Sequence, residues 1–299
     1  MQESLLYWSI NMRIFIGGLI RWLCAAGLLL VPATPAFAAV HKIGPDLYAY
    51  ISENDASANS TFLVSQEGIF VVDTGLNAQE GGKLLAEIRK VSSSPVRWIV
   101  NTHYHQDHRG GNNAVGPDAL IISTAYTRDR VLQSDAQAYK LNMVVNQQVM
   151  MHVGGHEIRI FYPGPAHTMG DLVVYFPDEQ AIATGDLFLT NSCPAMDEGD
   201  MESWIHALDH ILTLPIKHVV PGHFELATPK ELRRFRDYLA ALRDQVAPMY
   251  REGMTLQQVK QRISLPQFSD FRQFPKYEAT FADNAETYYR QLEQRSHHR

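Results

Sequence analysis

The stretch His103-Tyr104-His105-Gln106-Asp107-His108, followed at once by Arg109-Gly110-Gly111, packs three imidazoles and one carboxylate into six residues. Imidazole nitrogen and carboxylate oxygen are the donors that borderline and hard metal ions such as zinc prefer. In an extended segment, side chains alternate sides with period two, so His103, His105 and Asp107 are expected on one side and His108 on another. One short segment can then serve two neighbouring metals. Tyr104 and Gln106, interleaved between the donors, are expected to face away from the first of them.

Working outward, the apolar run Val96–Val100 reads as a strand that delivers Asn101-Thr102 and the His stretch at its carboxyl end. In layered α/β proteins, loops beyond the carboxyl ends of strands carry the chemistry. Upstream, 46–51, 61–65 and 69–73 read as strands, with Gln66-Glu67-Gly68 as a hairpin turn and Asp73-Thr74-Gly75 closing the third. Ala78–Lys90 has helical spacing, with Leu84, Leu85 and Ile88 on one face. Gly110-Gly111-Asn112-Asn113 allows a tight backbone behind the His stretch. Leu120–Ile122 reads as a strand, and Ser123 or Thr124 can cap a helix to about Gln133. Residues 134–147 are polar and Gln-rich, a surface excursion or a lid.

The pattern of strands then begins again. Val149–Val153 and Glu157–Tyr162 flank Gly154-Gly155, while Leu172–Phe176 and Ala181–Thr184 flank Pro177-Asp178-Glu179. Met201–Leu214 reads as a helix, Val219-Val220 as a short strand and Pro229–Val246 as a longer helix. Two further helices, about 255–262 and 276–294, cover the surface from about residue 251. Strands then helices, twice over, predict an α/β fold with two β-sheets packed face to face between outer helix layers. No low-complexity linker divides it, so 39–299 is expected to be one domain.

Three later loops carry donors of the same chemistry. His167 follows Pro163-Gly164-Pro165-Ala166, Asp186 follows Ala183-Thr184-Gly185, and His223 follows Val219-Val220-Pro221-Gly222. Over roughly 45–250 the chain resembles the metallo-β-lactamase-fold superfamily of hydrolases, which has His-x-His-x-Asp-His, a later His, an Asp and a last His in this order. The resemblance implies an αββα sandwich and two zinc ions, with iron or manganese as alternative occupants. By that likeness His103, His105 and His167 hold the first metal, Asp107, His108 and His223 the second, and Asp186 bridges both. Asp73 in Val-Asp-Thr-Gly resembles the family's Asp that orients the His loop without binding metal.

The N-terminus has the layout of a secretory leader. Arg13 and Arg21 precede the apolar run Leu23–Val31, Pro32 and Pro35 break it, and Ala36-Phe37-Ala38 is an Ala-x-Ala cleavage site. Residues 1–11 lie upstream of that layout, so Met12 reads as the start, and the address is expected to be periplasmic or secreted. Loss of 1–38 removes Glu3, Arg13 and Arg21 and takes the net charge from −6 to −7. A mildly acidic surface argues against nucleic acid or an anionic membrane as a stable partner and leaves a small-molecule substrate. Cys193 is then the one remaining thiol, so no intramolecular disulfide is expected. The other histidines read as structural: His152 and His156 flank a hairpin, His206 and His210 lie four apart on a helix, and His218 sits in a strand.

The resemblance implies metal-assisted hydrolysis, in which a metal-bridged hydroxide cleaves an ester, thioester, lactone or lactam, or phosphoester bond. Asp107 and Asp186 are the catalytic carboxylates in that scheme. Where many β-lactamases of the family have Cys and, three residues on, Lys, this chain has Asp186 and Leu189, a set that resembles the glyoxalase II-like branch. Two other classes share the donors: an iron-dependent oxidoreductase of the persulfide dioxygenase kind, and a protein that binds metal without turnover.

Overall fold

The computed structural model describes residues 39–135, 138, 142–196, 198–275 and 278–297, and the leader read at 1–38 lies outside them. Seven strands make the first sheet in chain order: β1 (Ala39–Lys42), β2 (Leu47–Ile51), β3 (Ser60–Ser65), β4 (Gly68–Val72), β5 (Val96–Val100), β6 (Leu120–Ser123) and β7 (Asn142–Val144). The first four pair antiparallel; β4, β5, β6 and β7 run parallel. The second sheet has the order β12-β11-β10-β9-β8, with β8 (Gln148–Val153), β9 (His156–Phe161), β10 (Val173–Phe176), β11 (Ala181–Ala183) and β12 (His218–Val220). Its strands alternate direction except for the parallel pair β11 and β12.

Period-two alternation sorts the strand residues into layers. Leu63, Phe70, Val72, Val100 and Ile122 of the first sheet share one cluster with Ile158, Ile160, Val174, Phe176 and Val220 of the second, which is the core between the sheets. Their neighbours Phe62, Ile69, Val71, Ile99 and Ile121 point outward and are covered by Leu84 and Ile88 of α1 (Ala78–Val91). On the far side, Val173, Tyr175, Ile182 and Val219 pack under α5 (Met201–Ile211) and α6 (Pro229–Arg251), through Trp204, Leu208, Leu232, Phe235 and Leu239. The result is the α/β sandwich expected, two mixed sheets between helix layers.

Several boundaries differ from expectation, each for a local reason. The His stretch is not extended throughout: Gln106–Arg109 is a single helical turn, α2, with His105 at its N-cap. Alternation therefore ends at His105, and Asp107 joins His108 rather than His103 and His105. A second turn, α3 (Asn112–Val115), follows. Thr124 caps α4 (Ala125–Ser134) by accepting from the Thr127 amide. Of 134–147, read as a surface excursion or a lid, residues 136, 137 and 139–141 lie outside the described residues, and β7 pairs with β6. Helix α5 stops at Ile211 instead of Leu214, as Thr213 and Leu214 bond back to His210 and Ile211 over three residues. Conversely α6 runs on to Arg251 through Pro248, whose missing N–H falls in the last turn. After α7 (Leu256–Arg262), α8 spans Phe281–His297, starting later than 276 because Thr280 accepts from the Asp283 amide. Among the described residues, no helix is long and apolar enough to cross a membrane.

Candidate metal centre

Five loops converge at one end of the sandwich. Asp73 follows β4, the His stretch follows β5, and His167, Asp186 and His223 follow β9, β11 and β12. The structure brings all seven expected donors together in two sets that share Asp186. One is His103, His105, His167 and Asp186; the other is Asp107, His108, His223 and Asp186.

In the first set His105 Nδ1 lies 3.0 Å from His103 Nε2 and 3.1 Å from His167 Nε2. Asp186 Oδ2 lies 4.0 Å from His103 Nε2 and 3.5 Å from His167 Nε2. In the second, His223 Nε2 to Asp107 Oδ2 and His108 Nε2 to Asp186 Oδ1 are both 3.1 Å. His108 Nε2 to Asp107 Oδ2 and His223 Nε2 to Asp186 Oδ1 are both 3.5 Å. Zinc bonds of about 2.0–2.1 Å put neighbouring tetrahedral donors roughly 3.3–3.5 Å apart, so both sets have the dimensions of a metal site. Asp186 turns one oxygen toward each.

The hydrogen bonds behind the rings fit the same reading. Nδ1 of His108 pairs with Asp73 Oδ2 at 2.8 Å, Nδ1 of His167 with the Ala195 carbonyl at 3.0 Å, and Nδ1 of His223 with the Asp55 carbonyl at 3.0 Å. Nδ1 of His103 lies 3.1 Å from Thr102 Oγ1, whose own proton goes to Asp73 Oδ2. With Nδ1 donating, each of these four rings turns its Nε2 toward the centre, the arrangement that orients metal-binding histidines. His108 Nε2 and Asp186 Oδ1, 3.1 Å apart without the alignment of a hydrogen bond, are also buried without another partner. Leaving such groups unsatisfied costs about 1–3 kcal/mol each, and a cation between them satisfies both.

Electrostatics separate the two sets. Burial, together with neighbouring His108 and His105, holds His103 well below the usual imidazole range, and burial brings His167 down to about 4. Burial also opposes charge on His108, yet the carboxylates of Asp186, Asp107 and Asp73 outweigh it and hold His108 well above that range. His223 is raised likewise by Asp186 and Asp107 against burial. Burial pushes Asp186 upward, but His108 and His223 beside it keep its carboxyl well below the usual range.

Close backbone approach makes room for this. A Cβ on Gly222 would lie 1.9 Å from Asp186 Oδ1, and one on Gly111 would lie 2.1 Å from the Thr74 carbonyl. Asn59, unremarked in the sequence, fixes the last loop: its Nδ2 donates to the carbonyls of Pro221 and Phe224 at 3.1 and 2.8 Å. Thr102 and the carbonyls of Asp55 and Ala195 are likewise positioning groups that sequence reading missed. Backbone carbonyls leave no residue signal; only the hydroxyl of Thr102 and the amide of Asn59 could have drawn notice. Tyr104 turns its hydroxyl to Glu198 at 2.7 Å, where Tyr126 and Arg130 also bind.

The centre opens into a cavity of about 670 Å³ walled by Leu76, Leu189, Phe224, Phe274 and Ala279, with Asp107 and His105 at its floor. Cys193 also borders it, but burial pushes its thiol up to about 12, so it is no nucleophile at neutral pH. His206 and His210 are exposed on α5 and join no donor set. His156 lies at the opposite end of the second sheet, where its Nδ1 pairs with Glu179 Oε1 at 3.0 Å in a group that includes Asp178.

An αββα sandwich with two adjoining His/carboxylate sets at the strand ends defines a class of metal-binding proteins. The chain belongs to the metallo-beta-lactamase superfamily, whose sequence model matches residues 54–223. A linear primary-alkylsulfatase of Pseudomonas sp. is 23% identical over 256 residues, covering 67% of this chain and 48% of that protein. A metallo-beta-lactamase type 2 of Elizabethkingia meningoseptica is 26% identical over 197 residues, 62% and 78% of the two chains. A hydroxyacylglutathione hydrolase of Pelagibacter ubique is 31% identical over 131 residues, 43% and 52%. The chain thus spans about half the length of the first and third of these relatives. Among solved structures, a metallo-beta-lactamase from Pontibacter korlensis superposes with TM-score 0.60 at 22% identity, covering 68% of this chain and 99% of that one. The stereoselective inverting sec-alkylsulfatase from Pseudomonas sp. does so with TM-score 0.71 at 16% identity, covering 85% and 50%. At those identities the likeness is one of fold.

Proposed function

We propose that the protein is a binuclear zinc hydrolase that cleaves an ester, thioester, lactone or lactam, or phosphoester bond. The observation that carries this reading is Asp186, which sets one oxygen among His103, His105 and His167 and the other among Asp107, His108 and His223. The intact second set favours two ions over one. Imidazole and carboxylate donors suit zinc, as they suit iron or manganese, and the names of the relatives, a sulfatase, a β-lactamase and a hydroxyacylglutathione hydrolase, favour hydrolysis.

Bound in the two sets, zinc would polarise the scissile carbonyl or phosphoryl oxygen and lower the pKa of a shared water toward about 7. The chain's own residues do the rest. Asp186 holds the two positions in register, and Asp73, Ala195 and Asp55 fix the rings through Nδ1. Asp107, half-buried at the cavity floor, orients the attacking water and returns its proton to the leaving group.

Stripping metal by chelation should lower turnover of whichever ester, thioester, lactone, lactam or phosphodiester is a substrate by about a hundredfold or more, and zinc should restore it. A metal-free protein with undiminished rate, or a fully loaded protein that turns over no member of such a panel, would overturn the proposal.

A further inference from the structure

The opposite end of the sandwich carries a separate group of donors. Strand β9 begins at His156 and runs toward the loop of His167, and β11 begins just after Glu179 and runs toward that of Asp186. The six residues of β9 put the two ends about 20 Å apart. At the far end, one donor atom from each of His156, Asp178 and Glu179 lies within 4.8 Å of the other two. His156 Nδ1 lies 3.0 Å from Glu179 Oε1, and its Nε2 lies 3.5 Å from Asp46 Oδ2.

Local folding holds the group in place. His156 pairs with Val153 across the hairpin between β8 and β9. Asp178 and Glu179 lie in the turn between β10 and β11, closed by the Gln180 amide donating to the Pro177 carbonyl at 3.1 Å. Asp178 Oδ2 accepts from the Glu157 amide at 3.3 Å, which ties that turn to the start of β9. From the first sheet, the turn between β1 and β2 covers Glu179, so closely that a Cβ on Gly44 would lie 2.2 Å from Glu179 Cγ. The Glu179 side chain is in consequence 1% exposed, and its Oε2 is buried without a hydrogen-bond partner. That oxygen belongs to the carboxylate that faces His156, so it borders the same group. An imidazolium at His156 would answer Glu179 Oε1 and the Asp46 carboxylate, but not Oε2. A buried carboxylate oxygen left so is costly, and a cation seated in the group satisfies it.

We propose that His156, Asp178 and Glu179 bind a divalent transition-metal cation, zinc in the first place, which pins the closed end of the sandwich. One imidazole with carboxylates is a donor set that zinc takes. His156 and the turn of Asp178 and Glu179 belong to the second sheet, while Gly44 and Asp46 come from the first, so the ion sits at the seam between them. Its role is structural and independent of the centre at Asp186. Bound to the folded chain and not to the unfolded one, it adds to stability by mass action.

The experiment compares the full chain with Asp178→Asn and Glu179→Gln, each saturated with zinc and passed through gel filtration to remove loosely held ions. Asp178→Asn keeps an oxygen for the Glu157 amide, so it serves if the buried Glu179→Gln fails to fold. The unsubstituted chain should hold one zinc more than either variant, a difference that does not depend on how many ions the Asp186 centre takes. Loaded with zinc, it should also melt about 5 °C above Asp178→Asn, and the gap should close when chelation strips both. A zinc content matched by either folded variant, or a melting gap of the same size with and without zinc, overturns the proposal.

Discussion

Asp73 belongs to neither donor set, yet three hydrogen bonds of the centre end on it. It accepts from the Thr102 amide and hydroxyl at 2.8 Å each and pairs with His108 Nδ1 at 2.8 Å. Its backbone is left-handed at φ 56, a conformation that costs a non-glycine residue about 1–2 kcal/mol. Charge-assisted hydrogen bonds of about 1.5–3 kcal/mol each offset it. Asp73→Asn keeps the shape but replaces one acceptor oxygen by a donor, so the His108 ring loses its anchor or its tautomer. Metal affinity of the second set should fall about 10–100-fold, read by competition with a chromophoric chelator. An unchanged affinity would mean that Asp73 serves the fold alone. The role of Asp73 was legible only through family resemblance, since an Asp after a strand has many uses. That Thr102 supplies the other half of the network was not, because a Thr before a His carries no pattern of its own.

At the level of elements, the segment after β5 serves both donor sets, yet their imidazoles have opposite proton affinities. His103 and His167, depressed by burial, are neutral ligands well below pH 7, His167 down to about 4. His108 and His223, raised by the Asp186 and Asp107 carboxylates, carry protons in the metal-free chain and must lose them to bind metal. Affinity of the second set therefore falls as pH drops, by one proton per imidazole, while the first is insensitive until far lower pH. Lowering the pH from about 8 to about 5.5 should release the second-set metal first, and rebinding it should release protons, measurable by titration calorimetry in buffers of different ionisation enthalpy. Release of the first-set metal before the other would contradict this. Elements with a strong apolar rhythm were legible: β5 coincides with Val96–Val100, and α1 differs by one residue at its end. The α2 turn was not, because four residues are too few for periodicity, and the period-two reading misplaced Asp107 in consequence. The edge strands β1 and β7 were missed because their side chains are mostly exposed or half-buried and backbone pairing alone defines them.

For the whole molecule, the sandwich has two ends with different tasks. Turns between β8 and β9 and between β10 and β11 close one end, while the loops after β4, β5, β9, β11 and β12 gather donors at the other. Residues as far apart in the chain as Asp73 and His223 meet there because parallel pairing of β4 with β5 and of β11 with β12 delivers their carboxyl ends to the same edge. The family match stops at residue 223, and the apolar wall of the cavity is finished by the segment beyond it. The donors thus lie within the matched stretch, while Phe224, Phe274 and Ala279 of the cavity wall lie beyond it. That division was not legible in the sequence, where 251–299 read only as surface helices. The central claim is the pair of metal positions astride Asp186. Anomalous-difference crystallography of the zinc-loaded protein tests it most directly. The structure predicts two peaks about 3.5–4 Å apart, one beside each carboxylate oxygen of Asp186; a single peak at saturating zinc, or two peaks that do not share Asp186, would contradict it.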